Sequence, residues 1–428
     1  QNIFSLPPQT KQLLLWFSQL IIFFAAGFMA IRLIHHYFQS PVSSRILFWW
    51  YFISFLILLL CSYEKSLYQS VARHFIMQAQ SLWHVVSYVS TESNIGGDFI
   101  SFQSKIFAPN PPFPSLLMFP FIPLFGDYLN DVIFTISIAA MNGILLFFVL
   151  MKLKELSYVT LTKYEIIWLI ILFFIGSVHL TISIIGHVWQ TAHVVSVTFL
   201  ILYILSSLEN RNISAGFFLS AAILTRPSMA VCALFFLGLY IVKNNDTRWY
   251  KKIFSSEVIL FSLVLLVGVV TLLAYNYWRF HNWFDFGYQY LSYKNTREIG
   301  LFHTQFLSRN LRIMLLDLPL FKSSFPFIQF HALGMSIFLM SPAFLYLFYF
   351  KKRSQLLLIA WLTAIVGIMP SLLYAETGWM QFGFRRLMDI LPFLFVILAL
   401  QLPKLSRIFK ILVIISIIIN LCGVLWLH

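Results

Sequence analysis

Asp98 stands in the segment GGDFISFQSKIFAPNPPFPSL, residues 96–116, which carries Lys105, two side-chain amides and four prolines in a chain that is 60% hydrophobic. A carboxylate set between glycines that let the chain turn and prolines that stiffen it suits a general base. The plainer reading is an Asp that caps a turn. Glu64 is the second candidate acid, with Glu92 behind it; Glu64 also suits a cap or a pairing with Lys65. Lys105, Arg226, Arg385 and Arg386 are candidate phosphate ligands, since arginine offers a planar fork of donors. Arg226 sits in Thr225-Arg226-Pro227 between two short apolar runs, where a cation is costly unless paired or snorkelling. Arg385 and Arg386 lie four and three residues before Asp389, so an intrahelical ion pair is the plainer reading there. His187 and His193 flank Trp189. Helical spacing puts Trp189 and His193 on one face, and interfacial Trp and His account for them without chemistry.

The elements that must position these residues are membrane helices. The chain has 428 residues, a mean hydropathy of +0.84 and only 10% charged residues, against about 25% in a soluble domain. Apolar runs recur over 13–34, 46–63, 132–151, 166–185, 188–208, 258–278, 331–350, 356–373, 387–402 and 408–427. Two shorter runs, 213–224 and 230–242, are split by Thr225-Arg226-Pro227. Their lengths read as helices rather than barrel strands. They predict an all-α polytopic fold of about eleven to twelve membrane helices in a single transmembrane domain over 1–428. The first ten residues are polar and contain Pro7 and Pro8, unlike a cleavable signal, so the first run reads as a retained helix. Cys61, Cys232 and Cys422 lie in or beside apolar runs, which suggests neither a disulfide framework nor a metal cluster.

The net charge of +14 reflects basic loops. KLKELSYVTLTK, KNNDTRWYKK, KKR and PKLSRIFK fall on one side, which is then cytoplasmic. Basic residues are not gathered on one face of a soluble domain, which argues against nucleic acid as a partner. The opposite side receives external loops over 64–131, 280–330 and 374–386. Ten of the fifteen acids lie in or beside them. Leu67, Val71, Phe75, Ala79 and Leu82 recur at helical spacing, and LFHTQFLSRNLRIMLLDL repeats the pattern, so both loops contain predicted interfacial helices. Such helices would border a cavity at the depth of lipid headgroups, where a lipid-linked substrate presents its phosphate.

The order of several segments resembles the GT-C superfamily of glycosyltransferases. The nearest likeness is to bacterial glycosyltransferase family 39, which includes lipid A aminoarabinose transferases and relatives of protein O-mannosyltransferases. The matching pieces are Arg73-His74, Pro111-Pro112 and Phe125-Gly126, followed by GHVWQTAHVV, AAILTRPSM, YNYWRFHNWFDFGYQYL and GWMQFGFRRLMDILPFL. An acidic pair often precedes the interfacial helix in that family; here the place holds Ser70 and Val71. The resemblance implies transfer of a sugar from a polyprenyl-phosphate donor to a glycan, lipid or protein acceptor, with inversion at the anomeric carbon. Asp98 would be the base, with Glu64 as its backup. Arg226, Arg385, Arg386 and Lys105 would hold the donor phosphate. His74, Asn110, His187, Trp189, His193, Asp285, Tyr288 and Glu376 would contact sugar or acceptor. The expected setting is the plasma (inner) membrane, with the site facing outward.

No cofactor is assigned, and a divalent cation is left open. No Walker loop, Rossmann fingerprint, Ser-His-Asp order or His-Glu-x-x-His motif is present. A lipid or solute transporter or flippase is the second reading, but no internal repeat is visible and the polar residues cluster on one face rather than at mid-span. A non-catalytic relative is the third.

Overall fold

A computed structural model describes residues 8–39, 42–90, 98–243, 251, 254–291, 299–324, 328–349 and 354–427. Among the described residues, seven helices are long and apolar enough to cross a membrane. They are α1 (Pro8–Tyr37), α2 (Ser44–Ser62), α5 (Asp131–Glu155), α8 (Val188–Leu208), α11 (Ser256–Phe280), α14 (Gln355–Leu373) and α16 (Arg407–Leu427). Shorter apolar helices complete the bundle: α6 (Lys163–Ile175), α7 (Val178–Ser183), α9 (Asn212–Ile223), α10 (Ala233–Lys243) and α15 (Leu391–Gln401). The protein is an all-α polytopic membrane protein.

Burial sorts these helices into a centre and a rim. The most apolar stretches of α5 and α8 are each 94% buried, whereas those of α1 and α11 are 22% and 28% buried. A helix apolar all round and enclosed is a core helix. The outer ones expose Phe17, Ile21, Leu33, Leu263 and Val267, side chains that only lipid satisfies. The rim is fastened by close approach: a Cβ on Gly216 of α9 would meet the Phe261 carbonyl at 2.8 Å, and one on Gly268 of α11 would meet Ser220 at 2.4 Å. Ser220 Oγ in turn donates to the Val264 carbonyl at 3.2 Å.

Two expected spans are interrupted. The run 166–185 breaks at Gly176-Ser177, between α6 and α7; Ser177 Oγ caps the second piece by accepting from His179 N. The run 331–350 is not one helix. It folds as α13 (Ile337–Met340) followed by a 3-10 segment, Pro342–Phe348, because Pro342 has no N–H to give and displaces Ser341 from helical backbone angles. The third departure is the run 387–402: Arg385–Asp389 forms a 3-10 turn, and the regular helix begins at Leu391. The split at Thr225-Arg226-Pro227 is found as expected. Pro227 opens a 3-10 turn, Pro227–Cys232, that leads into α10.

In the loop between α2 and α5 the amphipathic helix is α3 (His74–Trp83), starting later than its apolar spacing predicted. Leu67 belongs to a separate 3-10 turn, Tyr63–Leu67, and Val71 is 92% exposed. The intervening chain is held by α5 instead: Asp131 Oδ1 accepts from Ser70 N at 2.8 Å, and its Oδ2 accepts from the Ser70 hydroxyl. Beyond Asp98 the loop forms a hairpin, β1 (Ile100–Phe102) with β2 (Lys105–Phe107), and then α4 (Phe113–Met118). In the second loop, α12 (Gln305–Leu315) buries Phe306, Asn310, Ile313 and Met314 on one face, as an amphipathic helix should. A small hairpin of β3 (Leu320–Phe321) and β4 (Ile328–Gln329) follows.

Replacing Gly268 by valine overpacks the α9–α11 contact and lowers stability by about 1–3 kcal/mol. The check is thermal unfolding in detergent, with the exposed α11 position Val267→Ala as the near-neutral control.

Candidate functional site

Two pairs of residues, each four apart, set the register of the site. Trp189 and His193 on α8 face Arg385 and Asp389 on the 3-10 turn before α15. The Arg385 guanidinium lies 5.6 Å from the centre of the Trp189 ring, and His193 Nδ1 lies 3.1 Å from Asp389 Oδ1. The face of α8 that carries Trp189 and His193 therefore packs on the turn that carries Arg385 and Asp389.

Asp389 is fully buried, and three elements converge on it. Arg226, from the turn between α9 and α10, places Nε 2.8 Å from Oδ1 and donates from Nη2 to Oδ2 at 2.9 Å. The Ser371 hydroxyl of α14 donates to Oδ2 at 2.9 Å. The expected intrahelical pairing of Asp389 with Arg385 or Arg386 does not form. A partner from 163 residues away takes the carboxylate, because the 3-10 turn aims Asp389 into the bundle. Burial raises the Asp389 pKa, but the charge of Arg226 and the bond to His193 outweigh it and hold the carboxyl below its ordinary value.

Arg385 and Arg386 have different surroundings. Arg386 donates to the backbone carbonyls of Glu376 (2.6 Å) and Thr377 (3.4 Å) and lies 4.5 Å from the centre of the Tyr374 ring. Its pKa is lowered by burial and then by Arg226. Arg385 is 9% exposed. Gln381 holds its backbone, accepting from Arg385 N at 3.1 Å. His187, the residue before α8, feels the same positive field: burial first, then Lys65 and Arg385, push its pKa down to about 4. Asp389 is a buried acid bonded to Arg226, and its charge also acts on Arg386.

Asp98 lies on the rim of this region, half-buried. Its charge acts on His74, Tyr288 and Tyr374. Arg226 and Arg386 act on the same Tyr288, so Asp98 and the arginines share an electrostatic neighbourhood. Tyr374 is raised to about 12, by burial first. His74 is 2% exposed and stacks on Phe99 at 3.9 Å between ring centres. Neither of its ring nitrogens makes a well-aligned hydrogen bond among the described residues.

The first loop is clamped into this position by a residue that sequence reasoning did not single out. Arg279, at the end of α11, is 2% exposed. It donates from Nη1 to the carbonyls of Ala108 (2.7 Å) and Asn110 (3.4 Å), and from Nη2 to Asn276 Oδ1 at 2.9 Å. Gln78 of α3 adds a bond to the Asn110 carbonyl at 2.9 Å. Phe113 N, just past Pro111-Pro112, donates to Leu224 O at 3.1 Å, two residues before Arg226. The signal for Arg279 was its place in YNYWRF: an arginine closing an apolar helix needs buried acceptors.

Other candidates lie elsewhere or are engaged. Lys105 is on the exposed hairpin, 4.7 Å from the centre of the Tyr88 ring. Glu64 is exposed, and Lys65 bonds the Leu427 carbonyl at 2.7 Å rather than pairing with it. Asp285 is consumed by its own loop, accepting from Gly287 N (2.8 Å), Gln289 (2.8 Å) and the Tyr290 hydroxyl (2.6 Å). Asn110 is buried with Oδ1 lacking a partner among the described residues. The side chain of Glu376 is partly exposed beside Tyr374. Gly96, Gly97 and Glu92 fall outside the described residues. Among the described residues, no three His, Cys, Asp or Glu side chains gather to hold a metal ion.

No family model matches the chain, and no curated protein matches it. A solved structure does resemble it. That structure is ArnT from Cupriavidus metallidurans bound to undecaprenyl phosphate, at 12% identity and a TM-score of 0.46, over 83% of this chain. This chain spans 60% of that protein's length.

Arg226→Met leaves the Asp389 carboxylate buried and uncompensated, and costs about 3–5 kcal/mol; the double variant Arg226→Met/Asp389→Leu recovers most of that loss. A double-mutant cycle of unfolding free energies in detergent measures it. Acid weakens the fold. Asp389 has a depressed folded-state pKa, so its contribution is complete above about pH 4 and is lost as pH falls below that range. His187 has the same sign over a higher window. Its protonation in the unfolded chain, beginning near pH 6.5, erodes stability down to about pH 4. Melting temperatures between pH 7 and pH 4.5 should fall for the natural chain and stay flatter for His187→Gln.

Proposed function

We propose that the chain is an integral membrane glycosyltransferase. It moves a sugar from a polyprenyl-phosphate carrier to an acceptor hydroxyl on the extracytoplasmic face. The observation that carries this reading is the gathering of Arg226, Arg385 and Arg386 around one buried carboxylate, with Asp98 in the same electrostatic neighbourhood. A lipid phosphate is a ligand chemistry that clustered guanidinium groups favour. The ordered motifs that resemble family 39 support the same class.

Arg226 is committed to Asp389, so it acts on the phosphate through the field rather than by contact. Arg385 and Arg386 are the direct ligands. The acceptor oxygen attacks the anomeric carbon from the face opposite the phosphate. The bond between that carbon and the phosphate oxygen breaks, and the lipid phosphate leaves with the bonding electrons, held by the arginines. The acceptor proton passes to Asp98. One displacement inverts the anomeric centre. The phosphate leaving group needs no proton, so a single carboxylate meets the acid–base requirement. Tyr288 and Tyr374, held neutral, are placed to hydrogen-bond sugar or phosphate oxygens.

Incubating purified protein with a panel of polyprenyl-phosphate sugars tests this. Binding or consumption of a donor is the expected result, and failure with every donor would count against it. Asp98→Asn should abolish transfer while keeping donor binding and the melting temperature. Arg385→Ala should weaken donor binding roughly tenfold or more, as loss of a charge-assisted phosphate contact does. Normal turnover by Asp98→Asn removes that residue from the chemistry.

A further inference from the structure

The side-chain bonds of Gln381 end on the loop that carries the arginines and on the segment packed against it. Gln381 is 1% exposed. Its Oε1 accepts from Arg385 N at 3.1 Å, and its Nε2 donates to the carbonyls of Leu333 (2.6 Å) and Thr377 (3.3 Å). The Thr377 carbonyl also accepts from Arg386 Nε at 3.4 Å. One glutamine is thus tied to both arginines, directly to the first and through a shared acceptor to the second. These partners fix which way the amide points. Turned over, it would set an N–H against an N–H and an oxygen against two carbonyl oxygens. The position therefore needs a donor and an acceptor in one side chain, which a carboxylate does not supply.

Two left-handed glycines let the amide sit this close. Gly378 has φ +122°, and a Cβ there would lie 2.9 Å from Gln381 Oε1 and 3.0 Å from Arg385 Nε. Gly334 has φ +116°, and a Cβ there would lie 3.1 Å from Gln381 Nε2 and 2.6 Å from the Gly383 carbonyl. Gln381 and Arg385 thus occupy the space that a side chain at 378 would take. In the same loop Met380 is held at φ +47°, a backbone region that a non-glycine residue keeps where its surroundings over-determine it. We infer that Gln381 is the positioning residue of the arginine pair. It locks the loop 376–386 so that Gly378 presents a bare face to Arg385 and Thr377 a carbonyl to Arg386. The inference rests on the phosphate role proposed above for those arginines, and adds that a residue without phosphate contact of its own sets their placement.

Gln381→Met keeps the length of the side chain and removes its bonds. Two readouts separate positioning from stability. The first is the affinity for farnesyl phosphate, a prenyl phosphate that carries no sugar. The second is the part of the fluorescence that Trp189→Phe removes, since Arg385 lies 5.6 Å from the centre of the Trp189 ring. Gln381→Met should bind farnesyl phosphate roughly tenfold more weakly, as displacement of a charge-assisted contact does, and should shift the Trp189 component. Gly378→Ala should do the same, because its Cβ would push on the ends of the Gln381 and Arg385 side chains; it carries the test if Gln381→Met does not fold. Gly268→Val, destabilised at the α9–α11 contact, should change neither readout. An unshifted Trp189 component in both site variants overturns the positioning role, whether or not the natural chain binds farnesyl phosphate. Failure of the natural chain to bind it counts against the phosphate reading, and the fluorescence then decides the positioning role alone. Unchanged affinity with a shifted component, or equal losses in Gly268→Val, also overturns the inference.

Discussion

The arrangement depends on one carboxylate that has no water to solvate it. Asp389 is fully buried at the end of the bundle, and an ion there persists only if its surroundings replace hydration. Arg226, His193 and Ser371 do so from three different elements. Each bond fixes the end of one of those elements relative to the others. The Arg226 turn, the start of α8 and the end of α14 are therefore tied at one point. Hydrophobic burial holds the helices together but does not choose their ends, since lipid is as apolar as leucine. The polar knot supplies that choice.

The same knot sorts the cations. Arg226 is spent on Asp389, so its charge is balanced at short range. Arg386 bonds carbonyl oxygens, and Arg385 lies over an indole face. The carbonyl partners of Arg386 are dipoles rather than charges. Carbonyl dipoles and ring quadrupoles hold a guanidinium in place and leave most of its field intact. Burial first, then Lys65 and Arg385, lower the pKa of His187. A site that binds its arginines through dipoles keeps them ordered before an anion arrives, which lowers the cost of ordering them on binding.

Much of the frame was legible because apolar length is a strong signal. The bounds of α8 and α14 and the split at Thr225-Arg226-Pro227 lie close to where the hydropathy placed them. The failures share a cause. Over 166–185 and 331–350 the composition stays apolar while the backbone breaks, at Gly176-Ser177 and at Ser341-Pro342, so hydropathy continues across a discontinuity it does not sense. At Arg385–Asp389 local spacing suggested ion pairs along a helix, but a distant arginine wins because the turn is 3-10 and points inward. Arg279 was missed since two of its partners, the Ala108 and Asn110 carbonyls, are backbone groups that no side-chain pattern reveals. Asp285 was over-read for the converse reason: its acceptors are met by its own loop two to five residues on.

The loop between α2 and α5 shows how few side chains are needed to hold a loop in place when backbone groups do the holding. The segment from Ala108 to Phe113 is fastened by Arg279, Gln78 and the Leu224 carbonyl, all acting on main-chain atoms. Its prolines contribute no donors that would need satisfying, so a few bonds suffice to bury it. Main-chain anchoring fixes the backbone of this segment without drawing on the His74 ring nitrogens or the Asn110 side-chain oxygen.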